Sequence, residues 1–288
     1  MNQDDPAYAE LRSRLRHIQV LEAVGEQTVR SFRKVVGTVL DMLAAVGGVF
    51  AMCGRILWLF PQALRDPGAV MKQAMDLGVA SLPLIFVTSL FVGMVSAVSA
   101  KYKFRNVVPL KYLGTSVTKL VLLELGPVLT ALVMSGRIGS SIAAQIATMK
   151  EKEEIDAMTV LDLPPLRYLA APRILVGILA LPVLTTISCF LAIAGAWGVC
   201  VIVLGVTSYT FLSGTRLFFS SYDVFVMEIK ALVFGLLISL LGYYHGIHAG
   251  GGAKGVGEAT MKSVVSSSVM ILLFDFLIAF LLLRNTGS

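Results

Sequence analysis

The sequence predicts an all-α, polytopic membrane protein with an interfacial N-terminal helix and five transmembrane helices. Three observations predict it. Of its 288 residues 56% are hydrophobic and only 15% are charged, where a soluble domain carries about 25% charge. Mean hydropathy is +0.81. The apolar residues also come in uncharged runs longer than a core helix needs. Soluble enzymes, disordered chains and disulfide scaffolds are excluded together. The net charge of +6 then concerns membrane orientation and anionic lipid contact before nucleic acid, which is not expected as a partner.

Residues 1–36 form a basic extension in which Arg12, Arg14, Arg16, Arg30, Arg33 and Lys34 surround an apolar stripe of Leu11, Leu15, Ile18, Val29, Phe32 and Val36. That spacing suits an amphipathic helix lying on a membrane surface. The remainder, 37–288, reads as one membrane domain. Met42–Gly54 is an uncharged run of 13 residues, short of the roughly 20 a spanning helix needs. An interfacial or re-entrant helix over about 40–60 is expected, with a tilted full span as the alternative. Leu77–Ala100 is the first clear span, and a basic loop with Lys101, Lys103, Arg105 and Lys111 follows. The second span starts near Thr115, carries Glu124 and Gly126-Pro127, and runs into the small-residue stretch 135–144, whose composition allows close helix approach.

The segment 149–162, MKEKEEIDAMTVLD, is densely charged and ends at Pro164-Pro165, so it belongs in water. From Ile174 to Thr215 no charge occurs in 42 residues. This run is either one span plus an apolar outer piece, or two spans with a tight turn near Gly195–Gly198. Ala231–Gly246 and Ser263–Leu283 complete the five. An N-terminus in the cytoplasm places most Lys and Arg on the inner side, the basic loop after the first span being the exception.

No catalytic constellation is legible. The glycine cluster at 250–257 lacks the phosphate-loop spacing, and no G-x-S-x-G elbow is present. His245 and His248 stand three apart, but no third ligand lies near them, so a structural pair is favoured over a metal site. Cys53, Cys189 and Cys200 sit in apolar stretches as small hydrophobes. The intramembrane charges are more telling, because a carboxylate at a helix centre costs about 2.5–3.5 kcal/mol on insertion scales. Glu124 and Lys230 fall toward the same side and can pair, as a functional site or as a packing ion pair; Asp275 is a second such carboxylate. For the segment 149–158, composition favours a solvated loop over a docking helix.

The run ELGPVLTALVMSGRIGSSIAAQIATMKEKEEIDAM at 124–158 resembles the signature of MlaE-type permeases, the membrane subunits of ABC lipid transporters that work with MCE-domain proteins. PLRYLAAPRILVG at 165–177 and GYYHGIHAGGGAKGVGEATMKSVVSSS at 242–268 match in order. The resemblance covers residues 40–285 and implies a homodimer in the bacterial inner membrane. Its implied partners are a cytoplasmic ABC ATPase dimer that binds ATP and Mg, a periplasmic MCE-domain protein, and phospholipid; this chain holds no cofactor and catalyses no reaction. It further implies that 149–162 is a coupling helix with Glu153, Ile155 and Asp156 against the ATPase, and that Glu124 and Lys230 line a lipid cavity; Asp275 is assigned to that cavity on its membrane charge, with structural packing as the alternative. Leu123, where some relatives have arginine, and Pro164, where many have aspartate, depart from the family pattern. Two other classes compete with this expectation, an ion-driven secondary transporter and a membrane scaffold or lipid-binding anchor.

Overall fold

The computed structural model describes residues 67–104, 111–217 and 219–283, together with the single residues 54 and 109. The expected basic extension, its boundary at residue 36 and the interfacial helix at about 40–60 lie outside these residues. Among the described residues all regular structure is helical, and five helical stretches are long and apolar enough to cross a membrane.

The first stretch joins α1 (Pro67–Leu77), a short 3-10 turn (Val79–Ser81) and α2 (Leu82–Lys103). Pro83 falls in the first turn of α2, where no N–H is required of it. Lys101 and Lys103 occupy the last turn, where a cation complements the helix dipole. Lys101 Nζ also donates to the Leu204 carbonyl at 2.6 Å. The basic loop is therefore partly spent on holding the chain that leaves the third stretch.

The second stretch is one continuous helix of 41 residues, Lys111–Glu151, about 60 Å long and twice the thickness of a hydrocarbon core. It comprises α3 (Lys111–Leu120), α4 (Gly126–Met134) and α5 (Ser140–Glu151), separated by two wide π-type turns at Val121–Leu125 and Ser135–Gly139. The first widening precedes Pro127, which has no N–H for the carbonyl four residues back. Beyond α5, Glu153 adopts a left-handed φ of 59° and Asp162 one of 57°, and they bracket α6 (Glu154–Val160). Non-glycine residues rarely take that conformation, so the chain turns sharply on both sides of this helix.

A third π-type turn (Leu166–Ala170) leads into α7 (Ala171–Ile202), and the short α8 (Ser208–Leu217) follows. Of the two readings of the uncharged run, one span plus an outer piece is the observed one. Gly195 and Gly198 lie inside α7 and make no turn there. Gly195 serves packing: a Cβ on it would stand 2.6 Å from the Leu90 carbonyl oxygen.

The fourth stretch, α9, covers Ser221–Ile247 and begins ten residues before the expected Ala231. Ser220 caps it, its Oγ accepting from the Tyr222 N–H at 3.2 Å. Gly251 (φ 89°) and Gly252 (φ 71°) form the turn into α10, Gly252–Leu283, which likewise starts well before Ser263. The helices cross at glycines. Gly93 meets the Ala192 backbone, Gly235 meets Gly177, and Gly246 meets Ile146, each too closely for a side chain. In lipid, where no hydrophobic force drives helices together, such backbone approach supplies the packing energy.

Candidate functional site

Three charged side chains meet inside this apolar bundle where the second stretch first widens. Lys230, on the third turn of α9, is fully buried; its Nζ lies 2.7 Å from Asp275 Oδ1 on α10 and 3.3 Å from Glu124 Oε1 in the first wide turn. The same ammonium donates to the carbonyl of Leu123 at 2.7 Å. Leu123 is four residues before Pro127, so Lys230 supplies the donor that proline withholds. Three helices thus converge on one cation, and the three membrane charges picked out in the sequence form a single cluster. It is asymmetric. The side chain of Asp275 is 16% exposed and that of Glu124 is 39% exposed, so Glu124 is the member that faces outward.

Counting uncharged residues misses two further carboxylates on α9, Asp223 near its start and Glu228. Glu228, two residues before Lys230, accepts from the Thr186 hydroxyl of α7 at 2.6 Å. It escapes notice because a charge-free window opens α9 only after Lys230. Arg173, near the start of α7, is also buried; it donates to Gln145 Oε1 of α5 at 3.3 and 3.4 Å and to the Leu169 carbonyl at 2.8 Å. It fastens the two helices that flank α6.

The α6 residues divide. Glu153 and Asp156 are exposed, whereas Ile155 is 7% exposed. Ile155 therefore packs α6 against its own chain, while Glu153 and Asp156 are the exposed members of the three. Val160 and Leu161 are the exposed apolar residues at the end of α6, and they were not singled out from the sequence. Lys150 Nζ donates to the Ile247 carbonyl at 2.7 Å, joining the end of α5 to the end of α9.

His245 Nε2 is 2.8 Å from Ser266 Oγ, and His248 Nδ1 is 2.8 Å from the Tyr244 carbonyl. The two imidazoles have separate partners, and among the described residues no group of three metal-capable side chains occurs. Cys189 and Cys200 are buried free thiols, and Cys53 lies outside the described residues.

The sequence profile of the family described as Permease MlaE matches residues 70–281. A probable ABC transporter permease protein of Rickettsia typhi is 34% identical over 270 residues, covering 93% of this chain and 99% of that protein. One from Rickettsia prowazekii is 37% identical over 264 residues, 91% of this chain and 96% of that protein. One from the cyanobacterium Synechocystis is 34% identical over 239 residues, 83% and 91% respectively.

Proposed function

Since this chain belongs to the MlaE permease family, we propose that it is the membrane subunit of an ABC transporter moving phospholipid or a related amphiphile between the inner membrane and a periplasmic MCE-domain protein. Two copies would form the permease, with a cytoplasmic ATPase dimer binding Mg-ATP on the α6 side. The observation that carries the reading is the cluster around Lys230. A carboxylate that is 39% exposed, held by a fully buried ammonium, offers the amine of a zwitterionic headgroup a negative charge within the membrane. The headgroup amine pairs with Glu124 in competition with Lys230, in surroundings where charge pairs are screened little.

The long second helix links this site to the ATPase. Glu151 at its end and Glu124 in its first wide turn are about 40 Å apart along one continuous helix. ATP binding closes the partner dimer and pushes on α6, Arg173 and Lys150 carry the shift into α7 and α9, and the helix moves Glu124 relative to Lys230. The two wide turns are the natural places for that helix to bend, since π-type segments break its regular hydrogen bonding. Headgroup affinity then differs between the two states, which is what allows an energy source to drive release.

The test is purification of the complex in mild detergent, mass spectrometry of bound subunits and lipids, and reconstituted transfer. Copurifying ATPase and MCE-domain chains, retained phospholipid and ATP-dependent transfer are expected. Transfer that follows a proton gradient without ATP would establish the ion-driven alternative, with Glu124 and Asp275 as proton carriers. Binding of lipid with no transfer under either condition would leave the anchor.

A further inference from the structure

We propose that the cleft between α2, α4 and α7 is a lateral site for the ester-linked acyl chain of a membrane lipid, read by a relay of three buried hydroxyls. The cleft is about 370 Å³ in volume, within the range of sites that hold small ligands. Its walls are apolar, with Val87 and Phe91 on α2 and Leu129 and Val133 on α4. Val87 and Phe91 are more than half exposed, so the cleft opens on the surface that bears hydrocarbon. An acyl chain therefore reaches it by lateral diffusion.

Three polar side chains lie along this cleft. Thr130 Oγ1 donates to Ser188 Oγ at 2.8 Å, and Ser188 Oγ is 2.7 Å from Ser89 Oγ. All three residues are at least nine-tenths buried. Three hydroxyls carry three hydrogens, and the two bonds among them use two. Elsewhere in these helices the spare hydrogen goes back to a carbonyl four residues earlier, as Ser81, Thr88 and Ser96 show. The relay hydroxyls make no such bond, so one donor is left facing an apolar cleft, an arrangement that is costly unless the occupant brings an acceptor.

An acyl ester brings that acceptor. Its carbonyl oxygen accepts without donating, and it is attached to a chain of the same apolar character as the walls. The cleft wall at Leu125 and Gly126 follows directly on Glu124. The inference thus rests on the lipid-moving reading for its purpose and adds to it where the chain is held while the headgroup is near Glu124.

The experiment uses the purified chain with its copurifying subunits, reconstituted with an equimolar mixture of diester phosphatidylcholine and its diether analogue with identical chains. Retained lipid is counted by mass spectrometry after transfer to detergent. The expected result is an ester preference of about fivefold, the factor one neutral hydrogen bond gives. The triple substitution S89A/S188A/T130V removes the relay at nearly constant volume and abolishes the preference while lipid is still retained. V133W fills the cleft and lowers total retention. Equal retention of the two lipids by the unaltered protein, or a preference unchanged in the triple variant, overturns the proposal; the first comparison needs no variant to fold. ATP-dependent transfer is scored separately, so an ester preference without transfer removes the transport reading and leaves the site standing.

Discussion

Lys230 donates to the carbonyl oxygen of Leu123 at 2.7 Å, and that oxygen is the one Pro127 leaves without its usual helical donor. A lysine on α9 thus repairs the backbone of the second stretch, while also holding Glu124 and Asp275. Structure and proposed chemistry share the same atom.

Replacing Lys230 with Met strands two carboxylates and a carbonyl. Removing one member of a buried pair costs about 3–5 kcal/mol. The variant is expected to unfold at clearly lower temperature in detergent, and K230M/E124Q/D275N to recover much of the loss. A K230M protein as stable as the parent would show that the ammonium does not hold the three helices.

Glu124→Ala acts differently, because Lys230 keeps Asp275 at 2.7 Å and the lost partner is part-exposed. Stability within about 1 kcal/mol of the parent is expected, together with loss of reconstituted lipid transfer. Normal transfer removes Glu124 from the headgroup path.

On α6 the two kinds of residue separate by assay. Asp156→Lys reverses an exposed charge, and reduced ATPase copurification and turnover are expected with thermal stability unchanged. Ile155→Ala empties a buried position and should cost about 2 kcal/mol or more. If Asp156→Lys leaves both ATPase readings intact, the docking surface lies elsewhere.

Two glycines make a matched pair. A Cβ on Gly93 runs into the Ala192 backbone, whereas one on Gly198 meets nothing within 4 Å. Gly93→Val is expected to destabilise by about 1–3 kcal/mol through overpacking. Gly198→Ala should be neutral or stabilising by up to about 1 kcal/mol. Comparable thermal shifts in the two would contradict the α2–α7 crossing.

Orientation is read by Lys103→Cys in a chain lacking Cys53, Cys189 and Cys200. Reaction with an impermeant thiol reagent from the periplasmic side is expected. Reaction only from the cytoplasm inverts the proposed topology.

Much of the fold is legible because hydrocarbon imposes a plain demand: a spanning helix must be long and uncharged at its centre. The same demand misleads at helix ends. Starting α9 at Ala231 discards Asp223, Glu228 and Lys230, yet all three lie on the helix because each finds a partner there, Asp223 with Lys119 at 3.7 Å. Gly195 suggests a turn in a one-dimensional reading, but in α7 its missing side chain serves contact with α2. The sequence allows Glu124 and Lys230 to pair and marks Asp275 as a separate carboxylate. Their common contact is a tertiary property, as is the Leu123 carbonyl, which has no sequence signature beyond the proline four residues later. The burial of Ile155 against its own chain is likewise a tertiary property, with no signal in so charged a segment.

Three crossings, α7, α9 and α10, separate the α6 loop from Leu283. Three is odd, so the end of α10 emerges on the face opposite α6. A bulky reporter fused there sits a full bilayer away from any protein docked at Asp156, and will fluoresce or digest according to the compartment across the membrane. Sidedness and docking can therefore be measured on one tagged molecule without the tag obstructing the loop.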